Sequence, residues 1–146
     1  MTNWLYNGDD YISIQQFPQD CIGFIYKISN IETGKMYIGK KILRNLLTKK
    51  LTIKEREAWE KPGKVPTKKK EIKESNWSTY YGSSKLLLAD VKALGPHKFT
   101  REIIQFCFSK KSLTYWEVYY QFKYDVLRCD SYNETILGRF FKKDAV

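Results

Sequence analysis

Two tyrosines, a glycine and two lysines occur close together in the first third of the chain. Tyr26 and Tyr37 flank a short turn-like segment, and Gly39, Lys40 and Lys41 follow the second tyrosine. A glycine near the end of a strand lets a backbone or a ligand come close, and the lysines bring positive charge to the same spot. These residue types could bind an anion beside two phenol hydroxyls. The alternative is that both tyrosines are ordinary core aromatics.

The two segments that carry the tyrosines have the alternation of β-strands. In the first, Phe24, Tyr26 and Ile28 fall on one face, because successive side chains of a strand point to opposite sides. Between the segments, Gly34 can adopt the positive φ that a hairpin loop often needs. The sequence therefore predicts a β-hairpin over 23–40, in which the tyrosines can face each other as a cross-strand aromatic pair.

One carboxylate stands out later, in a predicted helix over about 113–127. This helix is apolar over most of its circumference, and Glu117 lies between its apolar stripes. A carboxylate there costs desolvation free energy unless cations or hydrogen-bond donors surround it. Two interpretations stay open. Thr114 and Glu117 could form a capping box at the helix start, or Glu117 could bind Mg²⁺, which is often held by one or two carboxylates.

Three further segments complete the predicted secondary structure. An amphipathic helix is expected over about 85–94, with Ser83 or Ser84 as its N-cap. Residues 99–108 alternate imperfectly and suit a third strand. Residues 1–20 read as an irregular lead-in whose aromatic side chains pack onto the sheet.

A basic insertion separates the hairpin from the first long helix, over about 41–75. Its composition predicts a short helix followed by an exposed basic loop. The lysines and the arginine that crowd it are Lys49, Lys50, Lys54, Arg56, Lys61, Lys64, Lys68, Lys69, Lys70 and Lys73. A solvated charge run and a phosphate-tracking arm are both compatible with this pattern.

The overall composition agrees with an acidic polymer as partner. The 146 residues carry 26 Lys+Arg against 16 Asp+Glu, a net charge of +10, which suits one small domain that binds nucleic acid. No apolar run is long enough to span a bilayer and the start lacks a signal-peptide core, so we expect a soluble protein of the cytoplasm without a membrane partner. Cys21, Cys107 and Cys129 lack metal-binding or disulfide spacing and are expected to be reduced.

The motifs, taken in chain order, resemble those of the GIY-YIG nucleases, and the resemblance covers nearly the whole chain. The residues that carry it are Gly23-Phe24-Ile25-Tyr26, Tyr37-Ile38-Gly39-Lys40-Lys41, the stretch from Trp77 to Ser84, Glu117 and Asn133. More narrowly, they are similar to small phage-encoded nucleases, some of homing type, which would act in the host cytoplasm. The resemblance implies a single α+β domain over 1–146, with a small three-stranded antiparallel sheet flanked by helices.

The family arginine is missing from its usual place. That place holds Leu47, and the nearest arginine is Arg44. If the segment is helical, residues three apart share a face, so Arg44 could reach the same phosphate.

The resemblance also implies a mechanism, the metal-assisted hydrolysis of a DNA phosphodiester bond. Mg²⁺ or Mn²⁺ held by Glu117 would polarise the phosphate, and Tyr37 or Tyr26 would accept the proton of the attacking water. Lys40 and Arg44 would neutralise the developing charge. Asn133 would orient the site through hydrogen bonds. The catalytic candidates are Tyr26, Tyr37, Lys40, Arg44, Glu117 and Asn133.

A nucleic-acid-binding module that kept the fold and lost the chemistry is the rival hypothesis. Aromatic rings can stack on bases while lysines bind phosphates. The candidates for such contacts are Lys41, Lys49, Lys50, Lys68, Lys69, Lys70, Trp77, Tyr80 and Tyr81. A protein with one active site would act as a monomer or as a transient dimer on DNA. The sole histidine, His97, and the tripeptide Glu71-Ile72-Lys73 give weaker support to other nuclease chemistries.

Overall fold

A computed structural model of the protein describes residues 2–146. The strands are β1 (Trp4–Tyr6), β2 (Asp9–Tyr11), β3 (Gly23–Asn30), β4 (Met36–Ile42), β5 (Arg44–Lys50), β6 (Lys68–Glu74), β7 (Phe99–Cys107), β8 (Thr135–Ile136) and β9 (Phe140–Phe141). The α-helices are α1 (Ile53–Glu57), α2 (Lys85–Leu94) and α3 (Lys110–Lys123). Among residues 2–146, no helix combines the length and the apolar character that a membrane crossing requires.

The central sheet has five strands in the order β2-β1-β7-β3-β4. β3 pairs antiparallel with both β4 and β7, as expected for the predicted hairpin and third strand. The expectation of three strands was wrong, because the lead-in adds β1, parallel to β7, and β2. Asn7 and Gly8, both at positive φ, make the tight turn between these two strands.

Helices cover both faces of the sheet. Phe24, Tyr26 and Ile28 belong to one buried cluster, together with Leu87 and Val91 of α2. Ile25, on the other face of β3, packs in a second cluster with Leu113 of α3. The mixed α+β class and the flanking helices are therefore as predicted.

The helix boundaries follow from their caps. α2 begins after Ser84, whose hydroxyl accepts from the Leu87 amide, and ends at Gly95 with φ 92°. α3 begins three residues earlier than predicted because Ser109 caps it. Glu117 therefore lies inside the helix, and the capping-box interpretation was wrong. Part of the predicted apolar surface of α3 is exposed to solvent, at Tyr115, Tyr119 and Phe122.

The basic insertion contains the predicted short helix and loop, but two strands that were not predicted flank them and form a ribbon. β5 pairs antiparallel with β6, and the short α1 lies in the connection between them. The ribbon is attached where Leu43, fully buried, follows β4. The Ser75 amide donates to the Leu43 carbonyl at 2.9 Å and closes the base of the ribbon. Backbone pairing thus overrides the weak helical preference of this lysine-rich segment.

Candidate active site

A cleft of about 660 Å³ opens at the outer edge of β4, the last strand of the sheet. Its walls come from β4, from the start of α2, from α3 and from the segment after α3. The lining residues are Tyr37, Ser83, Ser84, Lys85, Leu86, Glu117, Gln121, Tyr132, Asn133, Glu134, Thr135 and Leu137. Three of the predicted catalytic residues, Tyr37, Glu117 and Asn133, therefore share one cavity.

The two tyrosines lie on the same face of the β3–β4 hairpin. Tyr26 is directly opposite Gly39 and Tyr37 is opposite Ile28, so the rings are diagonal neighbours with centroids 6.1 Å apart. A Cβ atom at Gly39 would lie 2.5 Å from the Tyr26 hydroxyl and 2.9 Å from the Tyr37 ring. The bare backbone of Gly39 is thus what makes room for both rings.

The hydroxyls differ in their access to the cleft. Tyr26 is 1% exposed and does not line the cavity. Tyr37 is half-buried, and its hydroxyl is 3.1 Å from the Ser83 Oγ. Of the two phenols, only that of Tyr37 reaches the cleft.

Burial keeps both phenols protonated in the protein alone. Desolvation raises the pKa of Tyr26 well above its ordinary value, and the neighbouring Tyr37 and Tyr80 raise it further. Desolvation also raises the pKa of Tyr37, although its hydrogen bond with Ser83 opposes this effect. Lys40 is not among the groups that shift the pKa of either phenol, in keeping with its position on the opposite face of the sheet.

Glu117 reaches the edge of β4 from the opposite face of the sheet. Lys40 is three residues after Tyr37 and therefore points toward α3, where its Nζ lies 3.8 Å from Glu117 Oε1. The same Nζ donates to the Thr114 hydroxyl at 3.0 Å. The Tyr37 phenol and the Glu117 carboxylate thus lie on different faces of the sheet. They line one cavity because β4 is an edge strand.

The environment of Glu117 disfavours its charged form. Its side chain is 19% exposed. Burial raises the pKa of this carboxyl, while the Lys40 ammonium and the nearby Lys40 backbone N–H lower it. The ammonium group and the backbone N–H of Lys40 therefore offset part of the desolvation cost of the Glu117 carboxylate.

Asn133 and Gln121 hold the free edge of β4. Asn133 accepts from the Ile38 amide at 3.0 Å and donates to the Ile38 carbonyl at 2.8 Å. Gln121 donates to the same carbonyl at 3.0 Å. Both amides are buried and fix the strand beside Tyr37, so they position the site.

Arg44 lies outside this cleft. Its guanidinium donates to the Cys21 carbonyl and lines a separate cavity of about 320 Å³ with Leu46 and Ile72. Because residues 44–50 form a strand, Arg44 and Leu47 point to opposite sides and do not share a helical face. The argument that Arg44 replaces the family arginine by helical spacing therefore fails.

The aromatic candidates for base stacking are mostly in the core. Trp77 and Tyr81 are 1% and 7% exposed, so neither ring is open to a base. Trp77 instead packs on Phe17. Tyr80 is half-buried and covered by Lys41, whose Nζ is 4.1 Å from the ring centroid and bonded to Asn76.

The lysines of the ribbon fall into two groups. Lys49 pairs with Glu71 at 2.8 Å, and Lys69 pairs with Glu55. The other candidates, Lys50, Lys68 and Lys70, are exposed, and within residues 2–146 they form no ion pair.

Sequence reasoning missed three residues of the site: Ser83, Thr114 and Gln121. Thr114 and Gln121 lie three residues before and four residues after Glu117 on α3. Side chains at this spacing share one helical face, so a polar stripe through Glu117 was the signal that could have found them. Ser83 carried no comparable signal, since its contact with Tyr37 joins distant segments.

The donor atoms of the cleft suit a hard divalent cation. Within residues 2–146, no three histidine, cysteine, aspartate or glutamate side chains gather into a metal cluster. The cleft offers carboxylate, hydroxyl and amide oxygens, and neither a thiol nor an imidazole lines it. Mg²⁺ prefers oxygen ligands and commonly keeps several waters, so one carboxylate such as Glu117 can be its main protein ligand.

A family model described as "Putative endonuclease segE, GIY-YIG domain" matches residues 4–142, from the first residue of β1 to just beyond β9. No curated protein and no solved structure matches the chain.

Proposed function

The chain belongs to the GIY-YIG nuclease family, and from this membership we propose that it is an endonuclease that hydrolyses DNA phosphodiester bonds with a divalent cation. The observation that carries the proposal is the convergence at β4. Tyr37 and Glu117 line one cavity, and the Lys40 ammonium lies beside the Glu117 carboxylate. A phenol, a carboxylate and an ammonium group at one strand edge are suited to bind a phosphodiester together with a divalent cation.

The substrate phosphate is proposed to lie in the cleft at the edge of β4. The protonated Tyr37 hydroxyl, with Ser83 beside it, would donate a hydrogen bond to a phosphate oxygen. Lys40, whose side chain is 39% exposed, would neutralise charge that develops on the phosphate. The net charge of +10 would draw the DNA toward the protein.

Glu117 is the proposed ligand of Mg²⁺ or Mn²⁺. When bound, such a cation supplies Lewis-acid stabilisation of the phosphate and of the leaving oxygen. The raised pKa of Glu117 means that protons compete with the cation for this carboxylate. Asn133 and Gln121 would act by holding β4, so their role is to position Tyr37 and Lys40.

The test is the cleavage of supercoiled plasmid with Mg²⁺ and with EDTA. Nicked or linear products that require Mg²⁺ are expected for the wild type. Glu117→Gln keeps the size of the side chain and should slow cleavage by about a hundredfold or more, since a metal ligand supplies several kcal/mol to the transition state. Glu32→Gln, an equal charge change at the exposed β3–β4 turn, is the control and should cut like the wild type. Equal cleavage by Glu117→Gln and wild type would remove Glu117 from the site.

A DNA-binding module without catalysis is the second candidate, favoured by one observation. Arg44 is bonded to the Cys21 carbonyl, and among residues 2–146 no arginine lines the cleft. The same plasmid assay separates the two functions. Retarded plasmid without products at any Mg²⁺ or Mn²⁺ concentration would favour the module.

Oligomeric state is part of the proposal. The protein would act as a monomer that nicks, or as a transient dimer on DNA, because one cleft can cut one strand at a time. Discrete linear bands at high protein concentration would favour the dimer.

A further inference from the structure

The ribbon of β5 and β6 has two chemically different faces. In an antiparallel pair, directly opposite residues point to the same side and the sides alternate along the strand. The side that we call the outer face carries Arg44 and Glu74 at the base of the ribbon and, beyond them, Leu46, Thr48, Lys50, Lys68, Lys70 and Ile72. The side that we call the paired face includes Leu47, Lys49, Lys69 and Glu71.

Two of the three lysines on the paired face have carboxylate partners. Lys49 bonds Glu71 across the ribbon, and Lys69 bonds Glu55 of α1. Leu47 and Lys69 are half-buried, which places this side toward α1. The third lysine, Lys73, is exposed near the base of the ribbon and forms no ion pair within residues 2–146.

The outer face leaves its lysines without carboxylate partners. At its base, Arg44 donates to the Cys21 carbonyl and Glu74 accepts from the Trp77 indole. The six residues beyond this base are exposed, and none of these six is acidic. Lys50 is directly opposite Lys68, an arrangement of like charges that destabilises a ribbon unless an anion lies between them. Leu46 and Ile72 also face each other, 59% and 69% exposed. A row of unpaired lysines can bind the phosphates of a polyanion, and the adjacent Leu46 and Ile72 can contact apolar groups of the same polymer.

The attachment of the ribbon links this face to the cleft. β4, which carries Tyr37 and Lys40, continues through the buried Leu43 directly into β5. The seven residues of β5 extend the strand by about 24 Å, or about seven base-pair steps of 3.4 Å. A two-stranded ribbon of this kind fits the major groove of B-DNA.

We propose that the outer face of the ribbon binds duplex DNA, with the ribbon in the major groove. Its three lysines contact phosphates, while Leu46 and Ile72 contact thymine methyl groups or sugars. This inference rests on the proposed function in taking DNA as the substrate, and it adds that the DNA is double-stranded and held by a second surface. The paired face has no part in this contact.

The test compares two double variants with the same change in net charge. Lys68→Gln/Lys70→Gln removes two lysines of the outer face, and Lys49→Gln/Lys69→Gln removes two of the paired face. Binding to a labelled 30-base-pair duplex is measured by fluorescence anisotropy in EDTA from about 50 to 200 mM salt, with circular dichroism to verify folding. EDTA keeps this binding measurement independent of cleavage.

The outer-face variant should lose affinity by about tenfold, and its slope of log K against log salt should be shallower by about 1.8, or 0.9 per lost phosphate contact. The paired-face variant should stay near the wild-type affinity and slope. Equal losses in both variants, or wild-type affinity of the outer-face variant, would overturn the inference. So would equal losses by the outer-face variant on single-stranded and duplex DNA.

Failure of the proposed function has a different signature. Absence of Mg²⁺-dependent cleavage, together with the expected binding difference, would refute the nuclease and leave the ribbon inference standing.

Discussion

Replacing Gly39 with alanine should displace both tyrosines of the hairpin without straining the backbone. The added Cβ would lie 2.5 Å from the Tyr26 hydroxyl, 2.7 Å from its Cζ and 2.9 Å from a ring carbon of Tyr37. Contacts this short force movement, and overpacking of a buried site costs about 1–3 kcal/mol. The lower conformational entropy of the unfolded alanine variant stabilises the folded state by about 0.5–1 kcal/mol, which offsets part of this cost. At the middle of both ranges, the net loss is about 1–1.5 kcal/mol.

Thermal unfolding is the primary assay. At this chain length the expected loss corresponds to a fall in Tm of roughly 3–6 °C. Plasmid cleavage should also fall, because Tyr37 is the phenol that reaches the cleft.

A double-mutant cycle isolates the cause. Tyr26→Leu removes the ring that Gly39 accommodates and should cost about 2–4 kcal/mol alone. Combined with Gly39→Ala, the added methyl enters the space left by the ring, so the double variant should be more stable than the sum of the single losses by at least about 1 kcal/mol. Strict additivity, or a Gly39→Ala protein with the wild-type Tm, would refute the reasoning about this contact.

Two predictions concern stability. Burial raises the pKa of Glu117 from its ordinary 4.5, so wild-type stability falls as pH rises through the window between the unfolded and the folded pKa. Glu117→Gln should therefore have a higher Tm than the wild type at pH 7, and the difference should vanish below pH 4.5. A difference in Tm that grows toward low pH would contradict a raised pKa. Arg101 is 1% exposed and donates to three backbone carbonyls. Arg101→Met should cost more than about 3 kcal/mol, because each buried orphan acceptor costs about 1–3 kcal/mol; a urea midpoint equal to that of the wild type would show that these bonds contribute nothing.

Local signals explain what the sequence predicted well. The alternation of β3 and β4 and the turn glycine between them determine the hairpin, and α2 has the predicted bounds because Ser84 and Gly95 mark its ends. The strand after α2 was also predicted nearly to its last residue. In each case, the residues that fix the element are within it or next to it.

The lead-in over residues 1–20 contains one local signal for its two strands. Asn7-Gly8 is a strong hairpin signal, and it marks the turn between β1 and β2 that the sequence analysis did not identify. The parallel pairing of β1 with β7 had no such signal. It joins residues almost a hundred positions apart, for instance Trp4 with Arg101, and only the folded chain brings them together.

The ribbon was missed because neither of its faces is a hydrophobic core face. Strand prediction depends on apolar residues that alternate with polar ones, whereas here Leu46 and Ile72 point to solvent among lysines. Backbone hydrogen bonds, one cross-strand ion pair and one ion pair to α1 hold the element instead. Composition therefore indicated that the segment is basic, but not that two of its stretches pair as strands.

Three of the six catalytic candidates, Tyr37, Glu117 and Asn133, line the cleft, but the sequence did not indicate how they are arranged. Tyr37 and Lys40 differ by an odd number of positions, so alternation alone places them on opposite faces of the sheet. They can nevertheless approach one place because β4 is an edge strand, which is a property of the strand order. The prediction for Arg44 failed for a different reason. It depended on a helix over residues 44–47, and these residues form a strand.

The hydrogen bond between Leu43 and Ser75 makes the base of the ribbon as narrow as one residue pair. Residues 44–74 leave the central sheet and return to it at the same point, so a short turn could span the gap if they were excised. This geometry would let the segment be lengthened, shortened or exchanged as a cassette. If the ribbon makes the proposed DNA contact, such an exchange would change target preference and leave the residues of the cleft in place.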